Sequence, residues 1–229
     1  RGLWYFCILN SNSIDMKKIY FFFMAVFFLA AKAGFSLSDL IITGVGDGDL
    51  PGGQPKAVEF YAGNDIADLS IYSFGSANNG GGTDGPEFIF PADAATAGDF
   101  LYLTTPDGSD FQTFFGFEAD YQSGAAGVNG DDAIELFVES SPGVFDLIDV
   151  FGEQDVNGDG TPWDYTDSWA YRLNGTGDNS GTGVMFNAAQ WNAPGLGTLD
   201  GETSNATAMN PFPLGTYSTE GDMEMVVTI

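Results

Sequence analysis

The stretch that decides the fold runs from Gly130 to Trp169 and reads GDDAIELFVESSPGVFDLIDVFGEQDVNGDGTPWDYTDSW. From Ile134 to Glu139 the side chains alternate between two sets, which is the period-2 pattern of a strand with two different faces. Ser140–Gly143 has the chemistry of a turn, and the alternation resumes from Val144 to Phe151. The stretch therefore predicts a β-hairpin, followed by an acidic loop that ends on aromatic residues.

The N-terminal part of the chain has the pattern of a secretory signal peptide, at residues 16–33. Met16 is followed by two lysines and by an apolar run of 13 residues, Ile19–Ala31, and Ala33 completes a small-residue cleavage site. The run is shorter than the ~20 residues of a membrane-spanning helix, which favours a cleaved signal over an anchor. Residues 1–15 are then expected to be translation from upstream of the true start. We expect cleavage after Ala33, with Ser36 as the alternative, and a secreted protein.

Removal of this segment would leave one β-domain at residues 34–217 and a C-terminal strand or tail at residues 218–229. These 196 residues contain 31 acidic side chains and two basic ones, Lys56 and Arg172, for a formal charge of −29. Nucleic-acid backbones need lysines and arginines to neutralise their phosphates, and anionic membrane surfaces repel the same charge. We therefore expect neither a nucleic-acid partner nor a membrane span after signal removal.

The composition also argues against most hydrolytic chemistry. The chain has no histidine, and its one cysteine, Cys7, precedes the predicted signal. Serine-, cysteine- and zinc-dependent catalysis would lack the residues that they need. Asp131, Asp132 and Glu135 could supply the paired carboxylates of a glycosidase, but among 31 acidic residues some fall together by chance. We expect a protein that is not an enzyme.

Short apolar segments separated by loops rich in glycine, asparagine and aspartate predict an all-β fold, specifically a β-sandwich. Outside the signal, no apolar pattern at helical spacing persists over ten residues. The predicted strands are Asp39–Val45, Lys56–Ala62, Leu69–Phe74, Glu87–Phe90, Phe100–Thr104, Phe111–Phe115, the two strands of the hairpin, Ser168–Leu173 and Met223–Ile229, with a short segment at Asn187–Trp191.

The order of these elements resembles that of lamin-tail-like domains of secreted bacterial proteins, over about Leu40–Gly201. The stretches KAVEFYA, ADLSIYSF, FIFPADAATAGDFLYL and GDDAIELFVESSPGVFDLIDVFG carry the resemblance, and TPWDYTDSWAYRLNGTGDN with AAQW resembles the ending of one subset. The matching positions are Ala57–Tyr61, Ala67–Phe74, Phe90–Leu103 and Gly130–Gly152. The resemblance implies an immunoglobulin-like sandwich with an accessory role in adhesion, targeting or scaffold binding, and it brings no catalytic residues.

The loop after the hairpin contains the candidate metal site. Its sequence DVNGDGT matches the D-x-[DN]-x-[DN]-G core of a calcium loop, where oxygen ligands on alternate residues surround a hard cation. An EF-hand would have glutamate at its twelfth position, where this chain has Thr166, so Asp164 or Asp167 would have to replace it. The alternative is a solvated turn. The predicted calcium ligands are Asp155, Asn157, Asp159, Thr161, Asp164 and Asp167.

Two other features could bind partners. Asp47 and Asp49 form a second acidic loop, for which a strand-connecting turn is the simpler interpretation. Aromatic residues are concentrated late in the chain, and Trp163, Tyr165 and Trp169 would stack on sugars if they were exposed, or pack in the core if they were buried.

Taken together, these patterns predict a secreted, non-catalytic module that binds an extracellular or surface polymer or protein, with calcium as its candidate cofactor. One alternative is a structural subunit of an extracellular filament, because the C-terminal GDMEMVVTI could act as a donor strand for self-assembly. Another is an accessory domain of an extracellular nuclease or glycosidase system.

Overall fold

The computed structural model describes residues 39–177 and 184–221, so the predicted signal and the predicted strand Met223–Ile229 lie outside the described residues. The described chain is all-β, with ten strands, one short α-helix, α1, and five single-turn 3-10 helices. The strands are β1 (Leu40–Leu50), β2 (Gln54–Ala62), β3 (Tyr72–Ala77), β4 (Phe88–Ile89), β5 (Phe100–Thr104), β6 (Tyr121–Gln122), β7 (Ala133–Ser141), β8 (Val144–Phe151), β9 (Trp169–Arg172) and β10 (Trp191–Asn192), and α1 is Ser109–Phe115.

The strands form two sheets. One has six strands in the order β10-β9-β1-β2-β5-β6, and the other has four in the order β4-β3-β7-β8. Neighbouring strands are antiparallel, except for β5 and β6. The predicted hairpin is confirmed as β7 and β8, at the centre and the edge of the four-stranded sheet.

One hydrophobic core lies between the two sheets. Leu40 and Phe60 enter it from the six-stranded sheet, and Phe74, Leu136 and Phe151 enter it from the four-stranded sheet. These side chains come from alternate positions of their strands, because successive residues of a strand point to opposite faces. The alternation that predicted two-faced strands is therefore the pattern that builds this core.

A second apolar layer covers the other face of the six-stranded sheet. Ile41 and Ala57 point to this face, and α1 and residues 196–217 (the cover segment) pack on it. Phe111 of α1 and Phe212 of the cover segment are both fully enclosed there. The sheet is consequently buried on both sides.

The prediction of a strand at Phe111–Phe115 was wrong, because these residues belong to α1. Phe111 is followed by phenylalanines three and four positions later, which places the three rings on one side of a helix. Gly116 ends the helix in a left-handed conformation with φ 84°. Two turns are too short for the periodicity to stand out from the surrounding sequence.

Candidate functional site

The loop between β8 and β9 wraps around the residues that precede β7. The backbone N–H of Gly158 donates to Asp131 O at 2.9 Å, and that of Tyr165 donates to Gly130 O at 2.8 Å. A Cβ on Gly158 would lie 2.6 Å from the Trp163 ring, so only glycine fits at that contact. The loop is thereby fixed against the start of the hairpin that precedes it in the chain.

Within this loop, several of the predicted calcium ligands are occupied by local hydrogen bonds. Asn157 Oδ1 accepts from the backbone N–H of Asp159 at 2.8 Å. Asp164 Oδ2 accepts from Gly160 N at 2.8 Å, and its Oδ1 accepts from the backbone and the hydroxyl of Thr166. The Thr161 hydroxyl donates to Gly158 O at 2.7 Å. These bonds build the turn in the manner of Asx and Ser/Thr motifs.

The predicted ligands are divided between two places. Asp155 lies beside the loop after β3, where a Cβ on Gly82 would be 3.1 Å from its Oδ1. Asp159, Asp164 and Asp167 instead line a cavity of about 330 Å³ together with Asp200, which the sequence did not indicate. The structure thus brings three of the six predicted residues around one cavity.

Three carboxylates converge next to that cavity. Asp49, Asp167 and Asp200 each place one oxygen so that the three oxygens lie within 4.8 Å of one another. They come from the end of β1, from the residue before Ser168 and from the cover segment, so the cluster joins three segments that are far apart in the chain. Asp49 and Asp200 are exposed, and Asp167 is half-buried.

Backbone contacts hold the three segments together. Gly201 N donates to Asp49 Oδ2 at 2.8 Å, and Leu199 N donates to Asp167 O at 2.8 Å. Gly197 has a φ of 65°, and a Cβ there would lie 2.8 Å from Asp200 Oδ2. Glycine at this position permits the close approach of the Asp200 carboxylate to the turn.

The electrostatics of the cluster favour a cation. Partial burial raises the pKa of Asp167, and the neighbouring Asp49 and Asp200 raise it further, while Lys56 lowers it. Lys56 itself contacts Asp47, with both side chains buried. Burial raises the pKa of Asp47 to about 6 in spite of this partner. Lys56, the nearby positive charge, is therefore already paired with Asp47, and the carboxylates of the cluster repel one another.

The three aromatic residues predicted to stack on sugars are all buried. Trp163 and Tyr165 pack in the core between the sheets, whereas Trp169 lies in the layer under the cover segment. Trp169 is parallel to Phe212, with 5.8 Å between ring centroids. They do not form an exposed platform, so the packing alternative is the one that the structure supports.

Two of the three carboxylates considered for glycosidase chemistry, Asp132 and Glu135, are buried and hydrogen-bonded. Asp132 is fully buried and accepts from Asn79 N at 2.8 Å and from Asn129 N at 2.9 Å. Glu135 is also buried and accepts from the side-chain amide of Gln154. Asp132 thus organises two loops.

Glu59 is a buried carboxyl group that the sequence did not single out. Burial raises its pKa to about 7. The Thr43 and Tyr171 hydroxyls donate to its Oε1 at 2.7 and 2.8 Å, and Gly215 N donates to its Oε2 at 2.6 Å. Glu59 is fully enclosed beneath the cover segment, so no solute can reach it without displacing that segment.

Comparison of the chain with protein-family models, with curated proteins and with solved structures finds no match. Among residues 39–177 and 184–221, no helix is both long and apolar enough to cross a membrane.

Proposed function

We propose that this chain is a secreted, non-catalytic binding module, an immunoglobulin-like sandwich of the lamin-tail-like type whose loop end is stabilised by calcium. The observation that carries the calcium assignment is the convergence of Asp49, Asp167 and Asp200. Calcium takes six to eight oxygen ligands and tolerates irregular geometry, so three carboxylates with water and loop carbonyls are a suitable donor set. An ion there would relieve the repulsion that raises the pKa of Asp167.

Two further observations support a stable module with a non-catalytic role. The two-sheet architecture and the hairpin of β7 and β8 agree with the coarse arrangement that the lamin-tail resemblance implies. Glu59, whose pKa is raised to about 7, is enclosed and hydrogen-bonded, which makes it a structural group. The filament alternative depends on Met223–Ile229, which lies outside the described residues and stays a prediction.

Thermal unfolding with and without calcium tests the proposal. Extracellular calcium loops bind at about 10⁻⁴–10⁻³ M, so about 10 mM calcium should raise the Tm by roughly 3–10 °C relative to chelator. Asp200→Asn and Asp167→Asn should abolish this rise. Asp155→Asn is the matched control, because Asp155 lies outside the cluster.

The Asp155→Asn variant also distinguishes between two possible locations of the ion, the carboxylate cluster and the loop that contains Asp155. If Asp155→Asn removes the calcium-dependent rise and Asp200→Asn does not, the ion belongs to the D-x-N-x-D-G loop instead. If the wild-type protein melts at the same temperature with calcium and with chelator, calcium has no role in its stability, and the proposal fails.

A further inference from the structure

The outer faces of the two sheets are covered to different extents. The six-stranded sheet carries α1 and the cover segment on its outer face. On the outer face of the four-stranded sheet, cross-strand pairing aligns Ile89, Ser73, Phe137 and Leu147 in one row. Ile89 is 53% exposed, and Ile71, two residues before Ser73, is 39% exposed. The two interior members of the row, Ser73 and Phe137, are buried, whereas its two ends are open to solvent.

The row ends at β8, which is the last strand of its sheet. Its first five residues, Val144–Ile148, are exposed or half-exposed, and Val144 is 51% exposed. Among the described residues, no strand pairs with the free side of β8. Asp149 closes the far end of this edge, because its carboxylate accepts from the backbone N–H groups of Ile42 and Val150. A free edge about five residues long is left beside the apolar row.

The charges around this edge are all negative. Glu139 lies in β7 directly opposite Phe145, and Asp146 is exposed in β8 itself. Lys56 and Arg172, the two basic residues of the described chain, are buried and paired with Asp47 and Asp149. A second copy of this protein, with a formal charge of −26 on the full chain, would be repelled, whereas a cationic partner would be attracted.

We propose that the edge of β8 at Val144–Ile148 binds an extended, cationic segment of another protein, with apolar residues at alternate positions, as a fifth strand of the four-stranded sheet. Backbone hydrogen bonds to β8 supply affinity in this mode, and alternate side chains supply selectivity. The apolar side chains would extend the row that ends at Leu147, and the lysines or arginines would lie on the opposite face of the added strand, on the side of the Asp146 carboxylate. The inference rests on the proposed role as a binding module and names its partner chemistry.

Three labelled peptides test the proposal on the full chain by fluorescence anisotropy. The peptide KVKIKVKV should bind, and its affinity should fall as ionic strength rises. The peptide EVEIEVEV should not bind. A KVKIKVKV peptide with N-methyl groups on every backbone amide keeps its charge but cannot donate to a strand edge from either side, so its affinity should fall by about tenfold or more.

Two protein variants locate the site. Leu147→Lys should weaken KVKIKVKV binding by about tenfold or more, because it removes apolar contact at the end of the row and repels the cationic peptide. Met209→Lys is the matched control, since Met209 is 95% exposed on the cover segment, and it should bind as the wild type does. Absence of KVKIKVKV binding, equal binding of the methylated peptide or equal weakening by both variants would overturn the edge site. If the edge site is overturned in this way but calcium still raises the Tm, the calcium assignment remains valid.

Discussion

The Arg172 guanidinium and the Asp149 carboxylate form an ion pair in which both side chains are fully buried. Arg172 Nη2 donates to both carboxylate oxygens, at 2.7 and 2.6 Å. Arg172 Nε donates to Ile42 O at 2.6 Å, and Asp149 Oδ2 accepts from Ile42 N at 2.9 Å. The pair therefore connects β8 of one sheet with β9 and β1 of the other. Trp191 lies against the guanidinium, 4.5 Å from ring centroid to Cζ.

Loss of one member of this pair should be costly. Arg172→Met would leave Asp149 buried without its counter-charge, and we expect the free energy of unfolding to fall by about 3–5 kcal/mol, measured by urea denaturation. The double variant Arg172→Met with Asp149→Leu should recover much of the loss, because it removes the unpaired charge. A double variant as unstable as the single one would show that the cost comes from the bonds to Ile42 and the packing on Trp191.

The enclosed Glu59 should make stability depend on pH. Its pKa is raised from 4.5 to about 7 in the folded protein, so between these values the folded state holds a proton that the unfolded state has released. Its contribution to stability is therefore greatest below about pH 4.5 and is lost as the pH rises through about 7, by roughly 3 kcal/mol in total.

Glu59→Gln isolates this contribution from the other carboxylates. The unfolding free energies of the wild type and Glu59→Gln are measured by urea denaturation from pH 4.5 to 8. As the pH rises towards 7, the wild type should lose stability relative to the variant. A difference that stays constant over this range would mean that Glu59 keeps an ordinary pKa in the folded state.

The cover segment depends on glycines in β1. A Cβ on Gly46 would lie 2.7 Å from the Phe212 ring, and one on Gly44 would lie 2.8 Å from it. Gly46→Ala should therefore destabilise the protein by about 1–3 kcal/mol. Gly124→Ala is the control, because a Cβ there meets no atom within 4 Å. Combining Gly46→Ala with Phe212→Leu should recover part of the loss in a thermal melt.

Asn205 fastens the same segment. Its side-chain amide donates to Phe212 O at 2.9 Å and accepts from Phe212 N at 2.8 Å. Asn205→Ala should cost about 1–3 kcal/mol and should speed proteolysis within the cover segment. Thr207→Ala is the control, because it changes an exposed side chain of the same segment and keeps the Asn205 amide, so it should resist proteolysis as the wild type does. Equal cleavage of the two variants would contradict this role for Asn205.

The parts of the fold that the sequence predicted are those with local, periodic causes. The hairpin of β7 and β8 was predicted because its alternation and its turn lie within one short stretch. The cover segment has no such period, and it is held by separate contacts such as those of Asn205 and Phe212. Its structural role depends on contacts with the folded sheet, which the sequence of the segment alone does not indicate.

The candidate site shows the same division. The sequence drew attention to Asp167 because it follows a recognisable calcium-loop pattern, and to Asp49 as part of a second acidic loop. Asp200 has no neighbouring motif, and it joins them because the cover segment brings it back to the end of β1. A cluster assembled from three distant segments leaves no fixed spacing in the sequence.

The position of β1 has a consequence for the order in which the protein can fold during synthesis. On one side β1 pairs with β2, which follows after a three-residue turn, but on the other side it pairs with β9, which begins at Trp169. At ordinary rates of translation, the intervening residues take on the order of ten seconds to make. Throughout that interval one edge of the apolar strand β1 has no partner within its own chain. That edge is therefore open to pairing with nascent chains on neighbouring ribosomes.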